Sequence, residues 1–279
     1  MPSPYSQCHD RIKHRFSSRR MRDVVNSLTD KQKGYVKKHG FGKLLDILSF
    51  SPLPLMEWVM DHIRIGSSQF VYKNRCIKFT KDVVKQVLGI PSGSLPVALH
   101  SVDDNISSAV SKLKSAYCIV GDKPSISTVI SVLIGDEVEE SFMRSFMLIA
   151  ISTVLCPSTE NFVNLNYLNS LTHIPDLQNF DWAGHILSYI LSEVKRYQEK
   201  VDAGDMVGGK SLYFGSCLPL LVTVYMGFLD LNGFDGKQYH ICYHVPRFCH
   251  VCKQDFKIVM DVDRNRSSLG SYCFGQTIL

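Results

Sequence analysis

Charge is scarce in this chain: Asp, Glu, Lys and Arg make up 20% of 279 residues, against a hydrophobic share of 45% with 15 Phe and 12 Tyr. That balance excludes an intrinsically disordered or collagen-like protein. Cysteine is too thin for a disulfide scaffold. Nine are scattered at positions 8, 76, 118, 156, 217, 242, 249, 252 and 273. The odd number, the scatter and the lack of a secretory signal lead us to expect free thiols in a reducing compartment. Internal repeats and a convincing linker are also missing, which excludes a solenoid and favours one domain with a full core. No uninterrupted apolar run is long. Leu212–Leu231 approaches a membrane span in length, but Gly215, Pro219, Gly227 and Asp230 break it, so a buried central helix is the expectation.

The charge that is present is lopsided. Residues 1–43 hold 11 Lys/Arg against Asp10, Asp23 and Asp30, a balance of +8, whereas the remainder sums to −3. Such a front end attracts phosphate, acidic protein surface or anionic membrane. Residues 1–19 show no apolar period and are expected to form a basic, flexible arm ahead of a helical domain over residues 20–279. Its cations Arg11, Lys13, Arg15, Arg19, Arg20 and Arg22 suit nucleic-acid phosphates, a nuclear import signal or a mitochondrial presequence. A solvating tail is the plain alternative.

Local signals set the elements. Ser27 or Thr29 caps a helix to about His39, where Gly40 stops it. Phe41–Leu48 reads as a short helix, and Pro54 opens the next. Gln69–Phe79 alternates about Lys73-Asn74-Arg75 as a small hairpin. Thr80 caps KDVVKQVL, Gly89 before Ile90-Pro91 ends it, and 92–104 is a loop by composition. Helices are expected over Asn105–Ala116, from Ser125 or Ser127 to Ile134, from Asp136 to Leu155, over Phe180–Val201, and over Gln254–Asp263. The sum is a mostly α, compact, single-domain, bundle-like fold with one hairpin near residues 69–79.

Three patterns carry chemistry. Cys249-His-Val-Cys252 has the spacing that brings two thiolates to one zinc ion, with Cys242 and His244 as further ligands. A second CxxC or an HxxxH is absent, and buried thiols acting as small hydrophobes are the competing reading. Gly204–Ser211 satisfies GxxxxGK[ST], yet it follows the charged end of a long helix, VKRYQEKVDA. A phosphate loop must follow a strand, so a chance turn between helices is expected. No GxSxG frames a serine, and Asp261 and Asp263 fall on different helix faces.

Taken in order, several stretches resemble the plant mobile domain, also called the aminotransferase-like plant mobile domain. They are Leu28–Lys33, His39–Gly42 with Leu44-Leu45, the Leu55–His62 helix with Trp58, and Phe79–Val83 leading to Val87–Gly93. Then come Phe142–Phe146 before Leu155-Cys156-Pro157, Phe180-Asp181-Trp182, and the tail from Pro246-Arg247 through Asp255-Phe256 to Ser268–Gly270 and Phe274-Gly275. That family is transposon-related and often stands ahead of a SUMO-protease-like cysteine peptidase domain, which this sequence lacks. The resemblance implies a compact helical domain with no agreed catalytic residues. No lysine has a recognisable pyridoxal-phosphate setting, so no aminotransferase activity is carried over. The expectation is a non-enzymatic, nuclear module that contacts protein and, through its basic N-terminus, nucleic acid, with no cofactor and no membrane span. The alternative is a stand-alone toxic effector of gamete-killer type, sent by residues 1–19 to a mitochondrial protein partner.

Overall fold

The computed structural model describes residues 12–48, 50, 53–118, 123–205, 212–231, 240–265 and 273–279. A strand β1 (Ile12–His14) leads into helices α1 (Ser18–Ser27) and α2 (Asp30–Lys38). After a 3-10 turn over Gly42–Asp46 come α3 (Leu53–Asp61) and strands β2 (Ile63–Arg64), β3 (Gln69–Tyr72) and β4 (Arg75–Lys78). Helices α4 (Lys81–Leu88), α5 (Asp104–Ser115), α6 (Ile126–Ile134) and α7 (Glu139–Ala150) follow. The chain continues through α8 (Trp182–Asp202), β5 (Leu212–Phe214), α9 (Pro219–Met226) and α10 (Lys253–Val262). The fold is mostly α.

The core is built around α7. Every residue from Phe142 to Ala150 is buried, and so is the π-helical turn Ile151–Leu155 that prolongs it. A helix apolar on all sides must be covered on all sides. Helices α6 and α2 and the 3-10 segments Leu165–Ser170 and Ile174–Asn179 do so, and α1 covers the π turn. Arg144, the charged side chain in this run, donates from Nε to Leu171 O at 2.9 Å and from Nη2 to Thr172 O at 3.4 Å. Those carbonyls replace the water that burial removed. A second layer forms where α3 and α4 pack on α8 and α9.

Most helix starts follow their capping chemistry. Thr29 caps α2 in a reciprocal box with Gln32, Thr80 caps α4, Ser125 caps α6, and Asp181 caps α8. Gly40 and Gly89 end helices at φ +81° and +65°, angles that favour glycine. The hairpin forms with Phe70 opposite Ile77, and β2 adds a third antiparallel strand through Ile63 opposite Phe70. One side of that sheet is thus Ile63, Phe70 and Ile77, all buried.

Four expectations need correction. Residues 12–19 are not a free arm: β1 pairs in parallel with β5, with Ile12 opposite Leu212 and His14 opposite Phe214, and Ile12 and Phe16 are buried. Helix α1 begins at Ser18, capped by the Ser17 hydroxyl, because Met21, Val24 and Val25 supply an apolar stripe between its arginines. The helix expected from Asp136 starts at Glu139, and Asp136 instead accepts from Val138 N at 2.9 Å. The apolar run 212–231 is two elements, β5 and α9. Gly215 approaches Pro157 O too closely for any side chain, and Pro219 sits where a helix begins. Among the described residues no helix is long and apolar enough to cross a membrane.

The C-terminal segment is fastened by one carboxylate. Asp263, fully buried, accepts from Tyr225 Oη at 2.5 Å, Gly275 N at 2.9 Å, Thr277 N at 2.9 Å and Thr277 Oγ1 at 2.8 Å. Burial, and next the Asp263 charge, hold the Tyr225 phenol protonated. Asp263→Ala leaves several donors without an acceptor, at ~1–3 kcal/mol for each buried one. Chemical denaturation should therefore show a loss of about 3 kcal/mol or more, whereas the surface change Asp104→Ala should cost under about 1 kcal/mol.

Candidate nucleic-acid interface

Strand period sorts the first described residues. Ile12 and Phe16 turn inward, Lys13 is exposed and Arg15 is half-buried. Phe16 anchors the segment against Phe50 and Phe248, with ring centroids 5.6 and 5.9 Å away. Backbone bonds from Arg15 N to Phe214 O (3.0 Å) and Ser17 N to Thr153 O (2.8 Å) fix its path. On α1 the inward stripe leaves Arg19 and Arg20 exposed.

The neighbour strand sets an aromatic ring among these cations. Tyr213, 41% exposed, lies opposite Lys13. The Arg15 guanidinium stands 4.2 Å from its ring centroid and the Lys13 ammonium 5.8 Å. Arg15 Nε donates to Thr159 O at 2.9 Å, which holds the guanidinium plane in place. Farther along, Arg20 Nη1 donates to Asn161 Oδ1 at 3.2 Å, and the next residue, Phe162, is 43% exposed. The surface thus runs from β5 across β1 to the first turn of α1 and the loop 157–162. Among the described residues no carboxylate lies within ion-pair distance of Lys13, Arg15, Arg19, Arg20 or Arg22. Glu160 in the same loop is matched by Lys123 at 3.1 Å, and Asp23 is exposed one turn after Arg19.

The sequence-predicted cations therefore divide. Lys13, Arg15, Arg19 and Arg20 share this surface. Arg22 is half-buried and reaches the other way, toward Ile47 O at 3.4 Å. Arg11 lies outside the described residues. Tyr213, Phe162 and Lys123 escaped sequence reasoning because no local pattern links them to residues 13–20.

The Cys/His residues have other occupations. The Cys252 thiol caps α10 by accepting from Asp255 N, and the Asp255 carboxylate returns the bond to Cys252 N at 2.6 Å. The Cys249 thiol points to Lys43 O at 3.5 Å, and burial pushes its pKa up, away from the thiolate that zinc requires. Cys242 offers its carbonyl to Arg247 Nη1, and the His244 ring meets that of His250 edge-on at 5.9 Å. Among the described residues no group of three or more His, Cys, Asp or Glu is placed to hold a metal ion. Of the phosphate-loop pattern, Gly204 ends α8 at φ +75°, and residues 206–211 lie outside the described residues. A helix precedes the pattern and strand β5 follows, the reverse of a phosphate loop, and the expected turn between two helices leads into a strand instead.

A buried polar chain lies behind the surface. Cys156, Tyr167 and His185 are linked, with Tyr167 Oη 2.8 Å from His185 Nε2. Burial pushes the Cys156 thiol up to about 12, raises the Tyr167 phenol and the Cys217 thiol, and lowers His185. Each of these groups is thereby held uncharged. Nearby, Glu193 accepts from Gly215 N at 2.6 Å and from two nitrogens of Arg196, which also donates to Tyr213 O at 2.8 Å.

Comparison with known families gives a match. Residues 14–222 fit the family model described as Domain of unknown function (DUF8566). The chain belongs to that family. No curated protein and no solved structure matches it. The DUF8566 span opens at the last residue of β1 and closes within α9, so it contains the His14–Phe214 pair, Tyr213 and the cations Arg15, Arg19 and Arg20, while Ile12 and Lys13 precede it.

Burial also sets a pH dependence. His14, His62 and His185 are all held below the ordinary value of 6.5, burial being the main cause for each. The unfolded chain takes up these protons first. Stability is therefore complete above about 6.5 and falls as pH drops through that value toward the lower folded ones. Thermal melts from about pH 7.5 to about pH 5 should show a falling midpoint. His185→Gln should flatten part of that slope, and a midpoint constant with pH would refute the assignment.

Proposed function

We propose that this DUF8566 protein is a non-enzymatic interaction module that grips the phosphate backbone of nucleic acid with the β1–α1 edge. One observation carries the reading: Lys13, Arg15, Arg19 and Arg20 lie together on backbone held by β5 and by the π turn, without carboxylate partners among the described residues. Cations left unneutralised on a rigid frame lose little entropy on meeting phosphate. Some lysines elsewhere on the surface are matched, as Lys31 is with Glu137 at 2.8 Å and Lys38 with Glu139 at 2.8 Å, and what marks the β1–α1 edge is the grouping of its cations on a held backbone. The order of motifs shared with the plant mobile domain supports placing this activity in a nuclear, mobile-element-derived setting, and the body of the domain remains free to meet a protein partner. Burial of Ile12 and Phe16 favours this reading over a removable mitochondrial presequence, since cleavage past Phe16 would strip two core side chains.

A gel shift with salt titration tests it. Four phosphate contacts predict a log–log slope of about −3 to −4. The double variant Arg19→Ala/Arg20→Ala should reduce the magnitude of that slope by about 1.5–2. Absence of binding at low salt would remove the proposal.

A further inference from the structure

We infer that the nucleic acid this surface takes is single-stranded, with bases laid on the Tyr213 and Phe162 rings while Lys13, Arg15, Arg19 and Arg20 hold phosphates. The inference rests on the phosphate-binding reading and adds the form of the ligand.

Four aromatic side chains are exposed among the described residues: Phe162, Tyr213, Phe228 and Tyr243. Tyr213 stands among the cations of this strip, and Phe162 follows Asn161, which Arg20 binds. An exposed ring beside cations has little to offer a duplex, whose base faces are stacked away inside the helix. A single strand presents both phosphates and base faces, and alternating cations and rings are the complement of that pattern. The Arg15 guanidinium strengthens the argument. Its Nε is tied to Thr159 O and its plane lies near the Tyr213 ring, while its terminal nitrogens have no partner among the described residues. It can therefore bond a phosphate without giving up its position beside the ring. The elements are also flush with the surface. β1 has three residues and α1 turns its apolar stripe inward, so neither projects as a reading head into a duplex groove. An acidic peptide would satisfy the cations but leave the rings unused.

The test is fluorescence anisotropy of the full chain with labelled oligo-dT and oligo-U of about 20 nucleotides, and with a duplex of equal length. Either single strand should bind about ten-fold or more tightly than the duplex. Tyr213→Ala with Phe162→Ala should lose about ten-fold on single strands and little on duplex, whereas Tyr213→Phe retains binding. Thermal melts of both variants verify that they fold. Lys73→Ala with Arg75→Ala, which removes from the exposed hairpin as much charge as Arg19→Ala/Arg20→Ala removes from α1, should leave binding near wild type. Equal affinity for duplex and single strands, with no effect of the ring variants, would overturn this inference and leave phosphate binding standing. No binding to any of the three would overturn the phosphate reading itself. Displacement of the oligonucleotides by poly-glutamate at comparable charge concentration would point to an acidic protein partner and overturn both.

Discussion

Complete burial of the segment from Phe142 to Cys156 is the constraint on which the rest of this molecule depends. A helix with no solvent face cannot sit at an edge, so α1, α2, α6 and two 3-10 segments are arranged about it. Its polar atoms then dictate local structure. Arg144 requires the Leu171 and Thr172 carbonyls, and the Thr153 carbonyl at the widened π turn receives Ser17 N. The last bond is the one that brings the basic N-terminal segment onto the body. An interior requirement thereby positions a surface feature.

Neutrality is the second theme of the interior. Cys156, Tyr167, His185 and Cys217 are each pushed toward the uncharged form by burial. The buried carboxyl groups are fully engaged, Glu193 between Gly215 N and Arg196, and Asp263 with its four bonds from Tyr225, Gly275 and Thr277. The cations at the β1–α1 edge contrast with both groups. Lys13, Arg19 and Arg20 are exposed and Arg15 is half-buried, and the polar partners shown for them are a carbonyl, an amide and a ring instead of carboxylates. Such groups retain most of their long-range attraction for an anion.

Legibility in the sequence followed the range of each interaction. Caps at Thr29, Thr80, Ser125 and Asp181, stops at Gly40 and Gly89, and the hairpin around Lys73-Asn74 were all readable, because each is decided within about four residues. The helix α1 was hidden. Its apolar stripe of Met21, Val24 and Val25 is short and lies among arginines, so composition outweighed period. The cysteine pair stayed open for a related reason: CxxC spacing is compatible with zinc and equally compatible with a thiol that caps α10.

The sequence by itself determined a mostly helical domain, the positions of most helix ends, and a front end rich in cations. Tertiary structure decided what those cations became. Pairing of β1 with β5 joins residues about 200 positions apart, and no local propensity encodes that contact. The pairing turns Ile12 and Phe16 into core and Lys13 and Arg15 into surface, sets Tyr213 between the two, and brings Asn161 to Arg20. Strand alternation explains the sorting, but only burial of α7 and its π turn explains why a strand forms there at all.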